Sequence, residues 1–206
     1  MKPRFRETIN NDLCCSKKPI DSLLVQVPPT IECEVCVIVP VRDEAELIDG
    51  CLNALYHQVD FNGQPLDYKR YEVIVFANNC EDDTAAIPQG SGFRQHARRF
   101  AEQHSDFRLH IVEKKLPPHE AYIGRVRQML MDEAYYRFSQ LACKHGVIAS
   151  IDGDSQVSPT WITATLLEIA RGADAVGGRI IADSVSCEAL SPHIKSRYLR
   201  TDEYYQ

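Results

Sequence analysis

Apolar residues along the chain form two kinds of run that alternate from about residue 35 onward. Short continuous runs, rich in β-branched residues, predict strands that are buried on both faces. Longer stretches place apolar residues every three or four positions, which predicts helices with one apolar face. The predicted strands cover residues 35–41, 72–77, 107–114, 147–151 and 173–181.

The predicted helices lie between these strands, and two of them carry clear end signals. They cover residues 42–58, 93–104, 122–146 and 158–172. The third is the clearest, and Gly146 is predicted to close it. Its apolar stripe consists of Ile123, Val126, Leu130, Ala134, Phe138 and Leu141. In the last helix Ser158 is the predicted cap, Pro159 takes the first position and Gly172 ends it.

Strands that alternate with helices predict an α/β domain with a mostly parallel, right-handed sheet flanked by helices. Ligands of such sheets bind at the carboxyl ends of the strands. A length of 206 residues suits one such domain, or one and a half small ones. Residues 1–32 are polar, contain Pro28-Pro29 and show no sustained period, so we interpret them as an N-terminal extension outside the core.

The charge balance and the hydropathy narrow the class of protein. A net charge of -6 and a pI near 5.6 leave no basic surplus to neutralise phosphates, which argues against nucleic acid as the main partner. No apolar run is long enough to span a bilayer, and the N-terminus lacks the apolar core of a signal peptide. We therefore expect a soluble, cytoplasmic protein, with peripheral membrane association left open.

The eight cysteines are scattered and lie mostly in apolar runs. This distribution is typical of reduced packing residues in a cytosolic protein rather than of a disulfide framework. Cys33 and Cys36 have the spacing of a zinc knuckle, but no second pair matches them, and Cys36 lies in a predicted strand. The sequence therefore gives little support to a structural zinc site.

Polar segments follow three of the predicted strands. They read PVRDE at residues 40–44, NNCEDDT at residues 78–84 and DGDS at residues 152–155. Because the carboxyl ends of parallel strands meet at one edge of a sheet, we expect the three segments to converge.

The DGDS segment places two carboxylates, Asp152 and Asp154, one residue apart at the end of a buried strand. Such a pair can share a hard divalent cation, and oxygen ligands suit Mg²⁺ or Mn²⁺. A calcium-binding EF-hand loop is excluded, because its sixth position requires glycine and Val157 stands there. The alternative is an ordinary acidic turn that caps the next helix.

A divalent cation at this edge commonly accompanies phosphate, but the glycine-rich GxGxxG and GxxxxGK[ST] loops are both absent. Phosphates would then contact the cation, basic side chains and helix N-termini. The basic candidates are Arg125 and Arg127 at the start of the longest helix, and their alternative is a solvated helix face. Gly124 just before them permits a close approach of the backbone to a ligand.

Five segments, taken in order, resemble the sequence blocks of family 2 glycosyltransferases with the GT-A fold. They read VCVIVPVRDEAELIDGCLNAL, EVIVFANNCEDDTA, IGRVRQMLMDEA, GVIASIDGDSQVSPTWI and ADAVGGRI. The resemblance covers about Cys33 to Ile181. It implies a GT-A nucleotide-sugar-binding domain over residues 33–182, and an inverting transferase that uses a nucleotide-diphosphate sugar as donor.

The resemblance also implies roles for individual residues. Asp154 would be the ligand of Mn²⁺ or Mg²⁺ in the family's DxD motif, with Asp152 toward the ribose and the cation and Gly153 between them. The residues expected to border the nucleoside are Pro40, Val41, Arg42 and Glu44. Arg125 and Arg127, with Gly124, are similar to the segment that faces the donor phosphates.

Asn78 stands where many relatives have an aspartate that meets the base, because this chain reads ANNCEDDT where they read DDGSTDGT. An amide both donates and accepts hydrogen bonds, whereas a carboxylate only accepts. We expect a UDP-sugar in preference to a GDP-sugar, on family frequency alone. The acceptor stays unassigned.

The family's catalytic acid lies downstream of ADAVGGRI, so residues 183–206 are expected to be the start of a truncated acceptor-side region. The late acids Glu188, Asp202 and Glu203 match no motif, and we assign no catalytic base. The chain as given is accordingly expected to bind a donor but to transfer sugar poorly.

Two alternatives stay open at this stage. A sugar-phosphate nucleotidyltransferase has a related fold, but it usually carries a glycine-rich basic loop after its first strand, and PVRDEAEL has no glycine. A non-catalytic module that binds nucleotide sugars is the other alternative.

Overall fold

A four-stranded parallel sheet lies at the centre of the computed structural model, which describes residues 23–80, 93–141, 146–181, 188 and 190–196. The strands are β1 (Val35–Val41), β2 (Tyr71–Asn78), β3 (Leu109–Lys114) and β4 (Val147–Ser150), in the order β3-β2-β1-β4. The helices are α1 (Ile48–Tyr56), α2 (Phe93–Gln103), α3 (Ile123–Gln140) and α4 (Trp161–Ala170). The predicted α/β class with a parallel sheet flanked by helices is confirmed.

The chain divides into two compact units, Met1–Leu167 and Glu168–Gln206, and the sheet belongs to the first. None of the helices in the described residues is long and apolar enough to cross a membrane.

Both faces of β1 and β2 are covered, which explains why these strands read as unbroken apolar runs. Side chains alternate along a strand, so Val37 and Val39 of β1 join the cluster that contains α1, while Ile38 joins the cluster that contains α3. Leu52 of α1 and Leu130 of α3 are fully buried in these two clusters. The two layers of helices fix the sheet, and with it the carboxyl ends of the strands.

The longest helix differs from its prediction at both ends. Ile123 is exposed and does not join the apolar stripe. The helix ends at Gln140, six residues before Gly146, and Leu141 is its C-cap. Gly146 is needed for a different reason, because a Cβ atom there would lie 2.5 Å from two carbons of the Phe138 ring. Gly146 therefore lets the Phe138 ring pack against the backbone, and it is not the residue that ends the helix.

The last helix begins at Trp161, after a turn in which the Trp161 N–H donates to the Ser158 carbonyl oxygen at 3.0 Å. Its end agrees with the prediction. Gly172 has a φ of +100°, which lies in the left-handed region that favours glycine, and its N–H donates to the Ile169 carbonyl oxygen.

The fifth predicted strand, residues 173–181, is wrong. In the described part of the chain this segment pairs with no strand, and Ile180 and Ile181 are exposed. A strand needs a neighbour for its backbone hydrogen bonds and for its side chains, so an apolar run alone does not specify one.

Part of the predicted N-terminal extension packs on the domain. Val25 is buried in the cluster on the α3 side of the sheet. The N–H groups of Leu24 and Val25 donate to the Glu133 carboxylate, and the Val27 carbonyl oxygen accepts a hydrogen bond from Arg137 at 2.8 Å. These polar contacts fix a segment whose sequence shows no period.

Candidate functional site

The carboxyl ends of β2, β1 and β4 lie side by side and form one rim of the sheet. Val41 pairs with Ala77 across β1 and β2, and Ile38 pairs with Ser150 across β1 and β4. The segments at these strand ends, residues 40–44, 78–80 and 152–155, therefore share this rim. The expected convergence is confirmed for these residues, while residues 81–84 of the second segment lie outside the described residues.

The three residues Asp152, Gly153 and Asp154, here called the DGD turn, are folded tightly against the segment that follows β1. The turn is closed by the Ser155 N–H, which donates to the Asp152 carbonyl oxygen at 3.1 Å. Gly153 is buried, and the side chains of the two acids are exposed. The arrangement presents both carboxylates to solvent while the glycine faces the protein.

Gly153 is required by its neighbours. A Cβ atom there would overlap Glu44 Oε2 and would lie 2.9 Å from Val41 Cγ2. The glycine therefore lets Val41 and Glu44 pack against the DGD turn.

Gly153→Ala is expected to lower the free energy of unfolding by about 1–3 kcal/mol, because an inserted methyl group must displace Glu44 and Val41. Chemical denaturation measures this loss. Gly124→Ala is the matched comparison, since a Cβ there meets only Tyr122 carbons at 3.4 and 3.5 Å, an ordinary contact. That variant should be at least as stable as the wild type. Equal stability of Gly153→Ala and the wild type would contradict the tight packing.

Cys51 of α1 is buried and contacts the DGD turn. Its thiol donates to the Asp152 carbonyl oxygen at 3.9 Å. Burial, together with the smaller effect of the charges of Glu44, Asp154 and Asp152, raises the pKa of the Cys51 thiol to about 12. The Cys51 thiol is therefore protonated.

Cys33 and Cys36, the pair with zinc-knuckle spacing, are also buried free thiols. Burial raises the pKa of Cys33 to about 12 and raises that of Cys36. Metal ligation requires the thiolate, so both residues are better described as part of the core.

The arginines of the rim differ in what they contact. Arg127 of α3 donates from Nη2 to Asp152 Oδ1 at 2.5 Å. Arg125 donates to Gln128 at 3.2 Å. Arg42 donates to the Ala121 carbonyl oxygen at 3.4 Å, and its Nε lies 3.8 Å from Asp43 Oδ2. Arg127 thus forms an ion pair with the DGD turn, whereas Arg125 bonds to a residue of its own helix.

Asn78 ends β2 and is 3% exposed. Its Oδ1 atom is buried and has no hydrogen-bond partner among the described residues. Buried polar atoms normally have a partner, so an unpaired acceptor at this position is unusual. Pro40, the last residue but one of β1, is also buried.

Asn79 is a residue that the sequence reasoning missed. Its φ is +52°, and its side chain exchanges two hydrogen bonds with the Leu116 backbone, at 3.0 and 2.8 Å. Asn is one of the few residues that adopt this conformation readily, so the Asn78-Asn79 pair at a strand end was a readable signal. The contact ties the end of β2 to the chain that follows β3.

The donor set of the rim fits a divalent cation shared with a phosphate ligand. No group of three or more His, Cys, Asp or Glu side chains that could hold a metal is present in the described ranges. Mg²⁺ is commonly bound by one or two carboxylates together with substrate phosphates rather than by an all-protein cage. Asp152 and Asp154, exposed on the DGD turn, supply that number of carboxylates.

Comparison with known proteins gives one curated relative and several solved structures of low similarity. No family model matches the chain. Its sequence is 26% identical over 147 residues to glycosyltransferase AglE of Haloferax volcanii, which covers 71% of this chain and 39% of AglE. The chain therefore spans about two fifths of the length of this curated relative.

The solved structures include S. aureus TarS 1-349, with a TM-score of 0.47 and 17% identity over 73% of this chain and 39% of that one. They also include the mannosyltransferase PcManGT from Pyrobaculum calidifontis, in complex with GDP-Man and Mn²⁺. Its TM-score is 0.33, with 26% identity over 68% of this chain and 32% of that one.

Proposed function

We propose that this chain is the donor-binding part of a metal-assisted glycosyltransferase of family 2, with the GT-A fold. One observation carries the proposal: the DGD turn follows β4, its glycine packs against Val41 and Glu44 after β1, and its first acid contacts Arg127. Acidic, basic and backbone groups then meet at the carboxyl ends of parallel strands, where α/β proteins bind ligands. The similarity to a curated glycosyltransferase supports the same function.

In this proposal different residues of the rim contact the divalent cation, the diphosphate of the donor and its nucleoside. Asp154 and Asp152 hold Mn²⁺ or Mg²⁺, which when bound offsets the charge of the diphosphate. Arg125 and Arg127 contact the diphosphate, and Gly124 permits its approach to the start of α3. The nucleoside lies along the ends of β1 and β2, against Pro40, Val41, Arg42, Glu44 and Asn78.

The reaction proposed is a direct displacement at the anomeric carbon of the sugar, with inversion. This part of the chain orients the donor by holding its diphosphate and its nucleoside on a rigid sheet edge, which lowers the entropic barrier to displacement. The described residues assign no side chain to the removal of the acceptor's proton, and the acceptor stays open.

Calorimetry with nucleoside diphosphates tests the proposal. UDP or GDP should bind in the presence of Mn²⁺, and EDTA should abolish most of the affinity. A slow hydrolysis of the matching nucleotide sugar would support an enzyme, whereas binding without hydrolysis would favour a non-catalytic module. Formation of a nucleotide sugar from a nucleoside triphosphate and a sugar phosphate would instead show a nucleotidyltransferase. Absence of nucleotide binding with and without Mn²⁺ would remove the proposal.

Asn78→Asp is expected to change the order in which the protein prefers nucleoside diphosphates. Asn78 Oδ1 is a buried acceptor beside an amide donor, and aspartate replaces both with acceptors alone. A group that pairs with a base edge discriminates by roughly fivefold to 150-fold when its partner is mismatched, which corresponds to about 1–3 kcal/mol. Thermal shifts with UDP, GDP, CDP and dTDP give the ranking before and after the change.

Asn53→Asp is the control for this experiment, because Asn53 is an exposed residue of α1 that bonds to the Asp49 carbonyl oxygen. It makes the same chemical change away from the rim and should leave the ranking unaltered. An unchanged ranking in Asn78→Asp as well would exclude Asn78 from the base pocket.

A further inference from the structure

Arg127 contacts an acid that the proposed function assigns to the cation. Its Nη2 lies 2.5 Å from Asp152 Oδ1, which is the separation of a close ion pair. Among the rim arginines in the described ranges, Arg125 and Arg42 donate instead to an amide and to a backbone carbonyl oxygen. The positive charge nearest to the DGD turn is therefore a side chain that could be exchanged for a metal ion.

The charges at the DGD turn account for the ion pair between Asp152 and Arg127. Glu44, Asp152 and Asp154 all lie near enough to Cys51 for their charges to act on its thiol. Asp152 and Asp154 lie one residue apart, and neighbouring carboxylates repel one another unless a positive charge offsets them. Arg127 supplies that charge from a side chain that is itself about one third exposed.

The present contacts of Arg127 do not satisfy it completely. Its Nε atom is buried and has no hydrogen-bond partner in the part of the chain that the structure describes. A buried donor without a partner costs free energy, which lowers the barrier to exchanging one set of contacts for another. Arg127 is thus fixed to the rim mainly through Asp152.

We propose that Arg127 is a placeholder cation: it holds Asp152 while no metal is bound, competes with the divalent cation for that carboxylate, and moves to the donor diphosphate when the cation arrives. This inference rests on the proposed function. Cation alone must displace Arg127, whereas cation and diphosphate together give Arg127 a new partner. The two ligands are therefore coupled, and each strengthens the binding of the other.

Arg127→Gln is expected to shift the two affinities in opposite directions. Mn²⁺ binding without nucleotide should become roughly threefold to tenfold tighter, because a competing ion pair of modest strength and its repulsion of Mn²⁺ are both removed. With saturating Mn²⁺, the nucleoside diphosphate that the wild type binds most tightly should bind at least about fivefold more weakly, because a charge-assisted contact is lost. Electron paramagnetic resonance of free Mn²⁺ measures the first affinity, and calorimetry measures the second.

Arg70→Gln is the matched control, because Arg70 Nε lies 2.5 Å from Glu34 Oε2 in a pair of similar exposure. Both residues precede their strands and so lie at the opposite edge of the sheet from the rim. This variant loses the same charge and an ion pair of the same length, and it should leave both affinities within about twofold of the wild type. Arg127→Lys keeps the charge and should tighten Mn²⁺ binding less than Arg127→Gln does.

The outcomes separate the inference from the proposed function. Unchanged or weaker Mn²⁺ binding by Arg127→Gln, while the wild type binds nucleotide with Mn²⁺, overturns the placeholder role and leaves the proposed function standing. Equal tightening in Arg70→Gln also overturns it, since a general charge effect would then suffice. Failure of the wild type to bind Mn²⁺ with or without nucleotide overturns the proposed function and the inference together.

Discussion

Replacing Arg137 with methionine is expected to lower the free energy of unfolding by about 3–5 kcal/mol at pH 7. Arg137 Nε and Nη2 donate to the two carboxylate oxygens of Glu72, both at 2.6 Å, and the two side chains are 3% and 1% exposed. Methionine fills a similar volume but leaves the Glu72 carboxylate buried without its charged partner. The variant also loses the hydrogen bond from Arg137 to the Val27 carbonyl oxygen.

The pH dependence of this loss has a definite sign. Burial by itself would raise the pKa of Glu72, but hydrogen bonds from Arg137 and His110, together with their charges, lower it to about 2. A pKa lowered on folding contributes stability that is complete above about pH 4.5 and is lost as the pH falls toward 2. In Arg137→Met burial acts with less opposition, the pKa of Glu72 rises, and the variant recovers stability on acidification.

Urea denaturation of both proteins at pH 7 and pH 4 measures this prediction, and the difference between them should shrink at the lower pH. Arg70→Met removes an arginine from a half-exposed pair and should cost no more than about 1 kcal/mol. The double variant Glu72→Leu/Arg137→Met should recover much of the loss, because two apolar groups leave no buried charge. A loss in Arg137→Met that is small and independent of pH would contradict the importance of the pair.

Asp154→Asn is expected to reduce the Mn²⁺-dependent affinity for nucleoside diphosphate by about tenfold to a hundredfold or more. Changes in the groups that merely orient metal ligands have effects of this order, and a ligand itself should have at least as large an effect. Asparagine keeps the size of the side chain but removes the charge that hard cations prefer in their ligands. Asp154 is exposed, so the substitution should leave the fold intact.

Calorimetry with the preferred nucleoside diphosphate, with Mn²⁺ or with EDTA, measures this effect. Asp132, an exposed acid of α3, provides the control, because Asp132→Asn removes the same charge away from the DGD turn. The control should bind as the wild type does. Equal affinity of Asp154→Asn and the wild type, or a wild type that EDTA leaves unaffected, would exclude a metal held by Asp154.

The strands at the centre of the sheet and the place of the DGD turn follow from local sequence patterns. A strand buried on both faces is apolar at most of its positions, so the spans of β1 and β2 could be read within one residue of their observed bounds. A parallel sheet then brings the carboxyl ends of its strands to one edge, so this topology alone predicts that residues 40–44 and 152–155 lie together.

Tertiary structure alone decided which charged side chains meet. Arg125 and Arg127 look equivalent in the sequence, but successive helical residues turn by about 100°, so two positions apart they point to different sides of α3. Only Arg127 of the two contacts Asp152 in the described structure. Glu72 likewise interrupts an apolar run for no local reason, and its partner Arg137 is 65 residues away.

The same limit explains the packing of Val25 and the absence of the fifth predicted strand. Val25 is buried because Glu133 and Arg137 bind the backbone around it, and no period in residues 1–32 announces such long-range contacts. Residues 173–181 have a strand-like composition but pair with no strand of the described part of the chain. The local hydropathy pattern indicates which side chains are buried. Whether two distant segments pair depends on which segments lie next to each other in the folded chain.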